Sequence, residues 1–201
     1  MHRITWVSSN EEEQWKTRED IDTTDVAATL RLDGREYQKM LGFGACFNEL
    51  GYAALRELPS VEQAELMADL FGQGEGSCRF NLCRLPIGAN DYAEDWYSLN
   101  ETPGDFTMAH FSIERDKGCL IPYIKMAMAH QRDLKLFASP WSPPTWMKDP
   151  PVYNWGKLIF TEENLKAYAL YFAKFVESYA AQGIHIDQIH VQNEPVADQK
   201  F

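Results

Sequence analysis

Residues 189–195 read IHVQNEP, and the direction of their polar side chains decides how the rest of the chain is read. Ile189 and Val191 alternate with His190, Gln192 and Glu194, the two-residue period of a β-strand with one apolar and one polar face. The stretch follows a long helical pattern, finishes on a carboxylate, and is stiffened at its exit by Pro195. A surface strand with a solvated glutamate has this pattern. So does a strand at the mouth of a barrel, with His190, Gln192 and Glu194 turned to the axis and Ile189 and Val191 to covering helices.

Upstream, the strand signal recurs in MLGFGACF (40–47), in CRFNLCRLPIG (78–88), which Pro86 stops, and in LKLFASP (134–140). Helical patterns separate these runs. Ser60 and Gln63 have the spacing of a capping box, with Ala64, Met67, Ala68 and Phe71 behind them. Residues 121–130 form a second helix by pattern. Thr161 caps a third, with Glu162 and Glu163 at its positive end and an apolar face of Leu165, Tyr168, Phe172, Val176 and Tyr179. Long loops follow the strands and short turns follow the helices. That alternation predicts βα units on a parallel sheet.

The placement of the loops suits an α/β fold of the (β/α)8 TIM-barrel type, in which the loops at the C-terminal strand ends build the site. A doubly wound sheet is the alternative. Only about the first four βα units of such a barrel are expected in 201 residues. The chain is therefore expected to be half of a longer protein, or a half-barrel that self-associates through open edges. Residues 1–40 differ: ITWVSS (4–9) and AATLRLDG (27–34) read as short strands of a side β-domain, and residues 41–201 as the half-barrel.

The formal net charge of −11 argues against nucleic acid and anionic membranes and leaves a neutral ligand as the better partner. No apolar run approaches a membrane span, so no membrane insertion is expected. The N-terminus has no apolar leader core, which predicts a cytoplasmic protein. Cys46, Cys78, Cys83 and Cys119 form no close pair and are expected to be free, buried thiols. The five histidines show no ligand spacing, so no metal or other cofactor is implied. Gly42-x-Gly44-x-x-Phe47 superficially matches a dinucleotide loop, but Phe47 is too large for the third position.

Five segments together resemble glycoside hydrolase family 30, which includes glucosylceramidases, β-glucosidases, β-xylosidases, endo-β-1,6-glucanases and xylanases. They are GFGACFNELG (42–51), CRLPIGANDY (83–92), TPGDFTMAHFSI (102–113), FASPWSPPTWMK (137–148) and IHVQNEP (189–195), in the family's order and spacing. The resemblance implies a retaining glycosidase acting on a β-linked oligosaccharide or glycoside. It makes Glu194 the general acid/base, with Asn193 on the sugar 2-hydroxyl. It makes Arg84 the residue that orients the catalytic carboxylates, and Asp91 and Trp141 sugar contacts. Trp146, Tyr153 and Trp155 share the loop of Trp141 and are either a stacking platform or loop packing.

Ala45 and Asn48 depart from the glycine and threonine of many members, which puts the substrate in doubt. The nucleophile, which the family takes from its seventh strand, is absent from this chain. Asp198, the one acid after Glu194, is badly placed to replace it, so this chain alone is expected to be inactive. The competing reading is a non-catalytic carbohydrate-binding or self-assembling half-barrel.

Overall fold

The computed structural model describes residues 5–18, 27 and 33–196. The chain divides into a unit of Met1–Lys39 and a unit of Met40–Phe201. In the first, β1 (Trp6–Ser8) and β2 (Lys16–Arg18) pair antiparallel, with Trp6 opposite Arg18. Asn10 makes the turn between them, its Oδ1 accepting the N–H groups of Glu12 (3.0 Å) and Glu13 (2.7 Å). The strand expected at 27–34 lies largely outside the described residues.

In the second unit the glycine-rich segment comes first. Cys46 makes one parallel bridge to Arg84, and the ladder continues through Arg84 N–H to Ala45 O (3.0 Å) and Leu82 N–H to Phe43 O (3.1 Å). Gly44 is obligatory here, because a Cβ would lie 1.9 Å from the Leu82 carbonyl oxygen. Phe47 is buried, stacked on Phe71 at 5.9 Å and edge-on to Tyr123 at 4.9 Å. The two glycines therefore serve strand packing.

A helix that the sequence pattern did not reveal follows at once: α1 (Glu49–Arg56), capped by Asn48, whose Oδ1 accepts Gly51 N–H at 2.7 Å. Next comes α2 (Ser60–Phe71), with Pro59 as its N-cap and no side-chain cap bond. The expected capping box is thus wrong. Ser60 already lies inside the helix, and Gln63 reaches back to the Leu58 carbonyl (2.8 Å) instead. Proline at the cap supplies extended backbone, and its carbonyl accepts Gln63 N–H at 3.0 Å.

The remaining elements alternate as the pattern predicts. They are β3 (Leu82–Pro86), α3 (Leu120–His130), β4 (Lys135–Ser139), a hairpin of β5 (Lys148–Asp149) and β6 (Lys157–Leu158), α4 (Glu162–Ala181) and β7 (Gln188–Ile189). Strands β3, β4 and β7 form a parallel sheet in that order, with Arg84 opposite Phe137 and Phe137 opposite Gln188. One face of the sheet is covered: Cys83, Leu85, Leu136 and Ala138 are at most 2% exposed. On the other face Arg84 and Phe137 are half-buried, and Gln188 and His190 are exposed. Such one-sided cover is what a barrel sheet has when its axis side is open.

Thr161 caps α4 as expected, its Oγ1 accepting Asn164 N–H at 3.2 Å. The buried face is rotated from the predicted one. Ala167, Tyr168, Tyr171, Phe175 and Tyr179 are buried, Leu165 is exposed, and Phe172 and Val176 are half-buried. Periodicity alone could not separate two adjacent apolar stripes. The choice is fixed by tyrosine hydroxyls with partners: Tyr171 Oη accepts Leu99 N–H (3.1 Å), and Tyr179 Oη donates to Asp116 Oδ2 (2.7 Å).

Asp116 is fully buried and also accepts from Tyr97 Oη at 2.7 Å. Burial pushes its carboxyl up to about 6, against the two tyrosine donors. Glu49, also buried, pairs with Arg115 through Oε1 to Nε (2.8 Å) and Oε2 to Nη2 (2.9 Å), and accepts Glu94 N–H at 2.8 Å. Burial opposes its ionised form, but Arg115 and the amide outweigh it and hold the carboxyl below its usual range. These two carboxylates tie the loop after β3 to α1 and α4.

The cysteines are free thiols, but only Cys83 is buried, whereas Cys46 and Cys78 are exposed. Among the described residues no helix is long and apolar enough to cross a membrane.

Candidate functional site

The C-terminal ends of β3 and β4, together with the chain after β7, converge on one guanidinium. Arg84 donates to Ser139 Oγ through Nε (3.0 Å) and Nη2 (2.6 Å), and Nη2 also donates to Asn193 Oδ1 (2.5 Å). Its Cζ lies 5.9 Å from the centre of the Trp141 ring, within cation–π range. Gln192 Nε2 donates to the Trp141 carbonyl at 2.9 Å, and Asn193 N–H to the Pro140 carbonyl at 2.9 Å. Residues 109 positions apart thus meet because parallel strands bring their ends to one side.

Of the sequence-predicted site residues, Arg84, Trp141 and Asn193 form this cluster. Glu194, the residue after Asn193, is exposed and has a left-handed backbone, φ 43°. It was expected to crown a regular strand, yet β7 is paired only at Gln188 and Ile189, and the chain then bends. Val191, expected against covering helices, is 70% exposed. Ile189 does pack on the core, and His190 stacks on Phe137 at 5.0 Å. Asp91 sits at an exposed turn after β3 and acts on the Cys46 thiol. Asp198 lies outside the described residues.

The aromatic residues of the 141–158 loop divide between the two roles left open by their spacing. Trp146 is packing: its Nε1 donates to the Asn100 carbonyl (3.0 Å) and its ring meets Phe106 edge-on at 5.4 Å. Trp155 is 54% exposed and lines a cavity of about 890 Å³ together with Trp141, Asn193 and Glu194. The same loop is stitched to the loop after β3 by Glu101, which accepts Thr145 N–H (3.1 Å) and Thr145 Oγ1 (2.5 Å). Within TPGDFTMAHFSI, Asp105 is architectural, accepting His110 N–H (2.8 Å), Ala109 N–H (3.1 Å) and Thr107 Oγ1 (3.0 Å).

Two residues of the site escaped the sequence reading. Ser139 is buried and fixes the plane of the Arg84 guanidinium. Lys148, 6% exposed, lines the cavity and donates to Ser142 Oγ (2.9 Å) and the Tyr153 carbonyl (2.7 Å). Burial pushes its ammonium down to about 8, against the pull of Glu101. A serine and a lysine within a loop-rich motif give no periodic signal. Among the described residues no group of three or more His, Cys, Asp or Glu side chains could hold a metal ion.

The arrangement can hold a neutral polyol: a ring for a sugar face, a fixed cation, an amide and a carboxylate, all on one open side of a parallel sheet. Comparison with known proteins points the same way. Residues 40–200 match the family model described as the glycosyl hydrolase family 30 TIM-barrel domain. The chain is 34% identical over 167 residues to putative glucosylceramidase 2 of Caenorhabditis elegans, covering 81% of this chain and 32% of that protein. It is 31% identical over 179 residues to the lysosomal acid glucosylceramidase of Mus musculus, covering 87% and 34%. Among solved structures it is similar to the endo-β1,6-glucanase BT3312, with a TM-score of 0.73 and 27% identity over 83% of this chain and 37% of that one. The chain spans about a third of the length of these relatives.

Proposed function

Because this chain belongs to glycosyl hydrolase family 30, we propose that it supplies the acid/base and sugar-orienting part of a retaining β-glycosidase. In this proposal Glu194 protonates the leaving oxygen and then takes the proton of the attacking water. Asn193 donates through its amide nitrogen to the sugar 2-hydroxyl while its oxygen is held by Arg84. Arg84 keeps positive charge beside the reacting carboxylates, Trp141 takes the apolar face of the sugar, and Asp91 accepts from its hydroxyls.

The nucleophile, a carboxylate ~5–5.5 Å from Glu194, is assigned to a part of the full-length polypeptide outside the residues described above. The relatives' names, glucosylceramidase and endo-β1,6-glucanase, favour a glucose unit as the sugar. The observation that carries the proposal is the single guanidinium joining Ser139, Asn193 and the Trp141 ring. Proton NMR of the first sugar released by the full-length polypeptide from an aryl β-glucoside tests it. The β-anomer is expected, and initial release of the α-anomer contradicts the double displacement.

A further inference from the structure

Lys148 stands on β5, and its side chain runs beneath the 150–156 turn of the hairpin. Gly156, at φ 72°, closes over it: a Cβ there would lie 2.7 Å from the Pro150 carbonyl oxygen and 3.4 Å from Lys148 Cε. The amine is thus enclosed by its own loop and shares a cavity of about 890 Å³ with Trp141, Trp155, Asn193 and Glu194. An ammonium carries three donor protons. Among the described residues, Ser142 Oγ and the Tyr153 carbonyl take two of them.

A buried cation with an unsatisfied donor is costly unless a ligand completes it. The groups around it restrict what that ligand is. Glu101 acts on the amine from the loop after β3, the Tyr153 ring lies beside Glu101, and Asp149, Lys157 and Glu194 line the same cavity. Asp149 and Glu194 balance Lys148 and Lys157, so the cavity wall carries no net charge for an ionic ligand to answer, and the fitting acceptor is the oxygen of a neutral polyhydroxylated group.

We propose that Lys148 is a specificity-determining residue of this site, its third ammonium proton donating to an oxygen of a polyhydroxylated unit on the leaving-group side of the scissile bond. The proposal rests on the glycosidase reading, since Glu194 must face the leaving group to protonate it. It explains why a lysine is buried in an aromatic loop where an apolar residue would pack at lower cost. It also carries a signature in pH. The neutral amine keeps enough donors for Ser142 and Tyr153 but loses the third, so affinity for such a unit falls as pH rises through about 8. Binding in turn holds the proton on the amine, so complex formation near that pH takes up protons.

The test uses the full-length polypeptide, tryptophan fluorescence, and two probes: glucose and a β-1,6-linked glucose disaccharide whose bridging oxygen is replaced by sulfur, so that it binds without being hydrolysed. The wild type is expected to bind the disaccharide more tightly at pH 6.5 than at pH 9, and glucose equally at both. Lys148→Met should weaken the disaccharide roughly tenfold to a hundredfold, the range for a charged hydrogen bond, with a flat pH profile. Calorimetry of the wild type in buffers of different ionisation enthalpy at pH 8 needs no variant and should show net proton uptake, absent from Lys148→Met. Unchanged disaccharide affinity in Lys148→Met, or no proton uptake by the wild type, overturns the proposal. Failure of the wild type to bind either sugar overturns the glycosidase reading instead, and the role of Lys148 with it.

Discussion

Ser139→Ala removes one oxygen atom and should loosen the whole site. In the native structure Ser139 Oγ accepts both Arg84 Nε (3.0 Å) and Nη2 (2.6 Å), and Ser139 itself is 2% exposed. Hydrogen bonds to a charged group contribute about 1.5–3 kcal/mol each when the donor cannot be rehydrated. Arg84 is only half-buried, so water recovers part of the loss, and a destabilisation of about 1–2 kcal/mol is expected. The larger consequence is geometric. With Ser139 gone, Asn193 Oδ1 is the side-chain oxygen recorded on the guanidinium among the described residues, and one bond fixes a position without fixing a plane. A tilt of about 20° is enough to leave productive geometry, so kcat/KM should fall roughly tenfold to a hundredfold. Urea denaturation measures the first effect. Proton–nitrogen NMR of the Arg84 Nε–H group measures the second without any assay of turnover: its exchange with water should be slow in the wild type and fast in the variant. An Arg84 Nε–H equally protected in both would refute the role assigned to Ser139.

Asp116→Asn should change how stability depends on pH. The folded carboxyl titrates at about 6, above its ordinary value. The native state therefore binds the proton more tightly, and this stabilisation is full below the ordinary carboxyl pKa and lost as pH rises through about 6. The variant, which cannot titrate, should lack that loss, on the order of 2 kcal/mol over this interval, when urea midpoints at pH 4.5 and pH 7 are compared. An identical pH dependence in both proteins would contradict the assignment. Gly44→Ala places a methyl group 1.9 Å from the Leu82 carbonyl oxygen and should cost more than about 3 kcal/mol or prevent folding; a thermal midpoint within a few degrees of the wild type would count against it. Thr161→Ala removes the cap bond to Asn164 N–H and should cost about 1 kcal/mol, read from the same denaturation curves; no loss would show that the cap contributes nothing.

The parallel sheet was legible in the sequence because its strands are short apolar runs stopped by Pro86 and Pro140, and its helices are long enough to show a period. Helix α1 was not legible, since its eight residues follow directly from a strand and its buried faces include Glu49, whose partner Arg115 is 66 positions away. The face of α4 was misread for a related reason. Two apolar stripes compete, and the hydroxyls of Tyr171 and Tyr179 decide between them through distant partners. At the site, Arg84, Trp141 and Asn193 were named from their motifs, but Ser139 and Lys148 emerged only from their contacts. Glu194 was assigned to a regular strand end, whereas the ladder stops at Ile189 and the chain reaches the glutamate through a left-handed bend.

The proposed function has Glu194 move the proton while Trp141 and Asn193 hold the sugar and Arg84 holds Asn193. The most direct test is Glu194→Gln in the full-length polypeptide, with hydrolysis of an alkyl β-glucoside, whose leaving group needs protonation, measured beside glucose binding. Turnover should fall by about 10²–10⁴ while glucose affinity stays within a factor of about three, no more than the net worth of about one ordinary hydrogen bond. Hydrolysis at the wild-type rate would contradict the assignment of Glu194 and, with it, the function proposed for this chain.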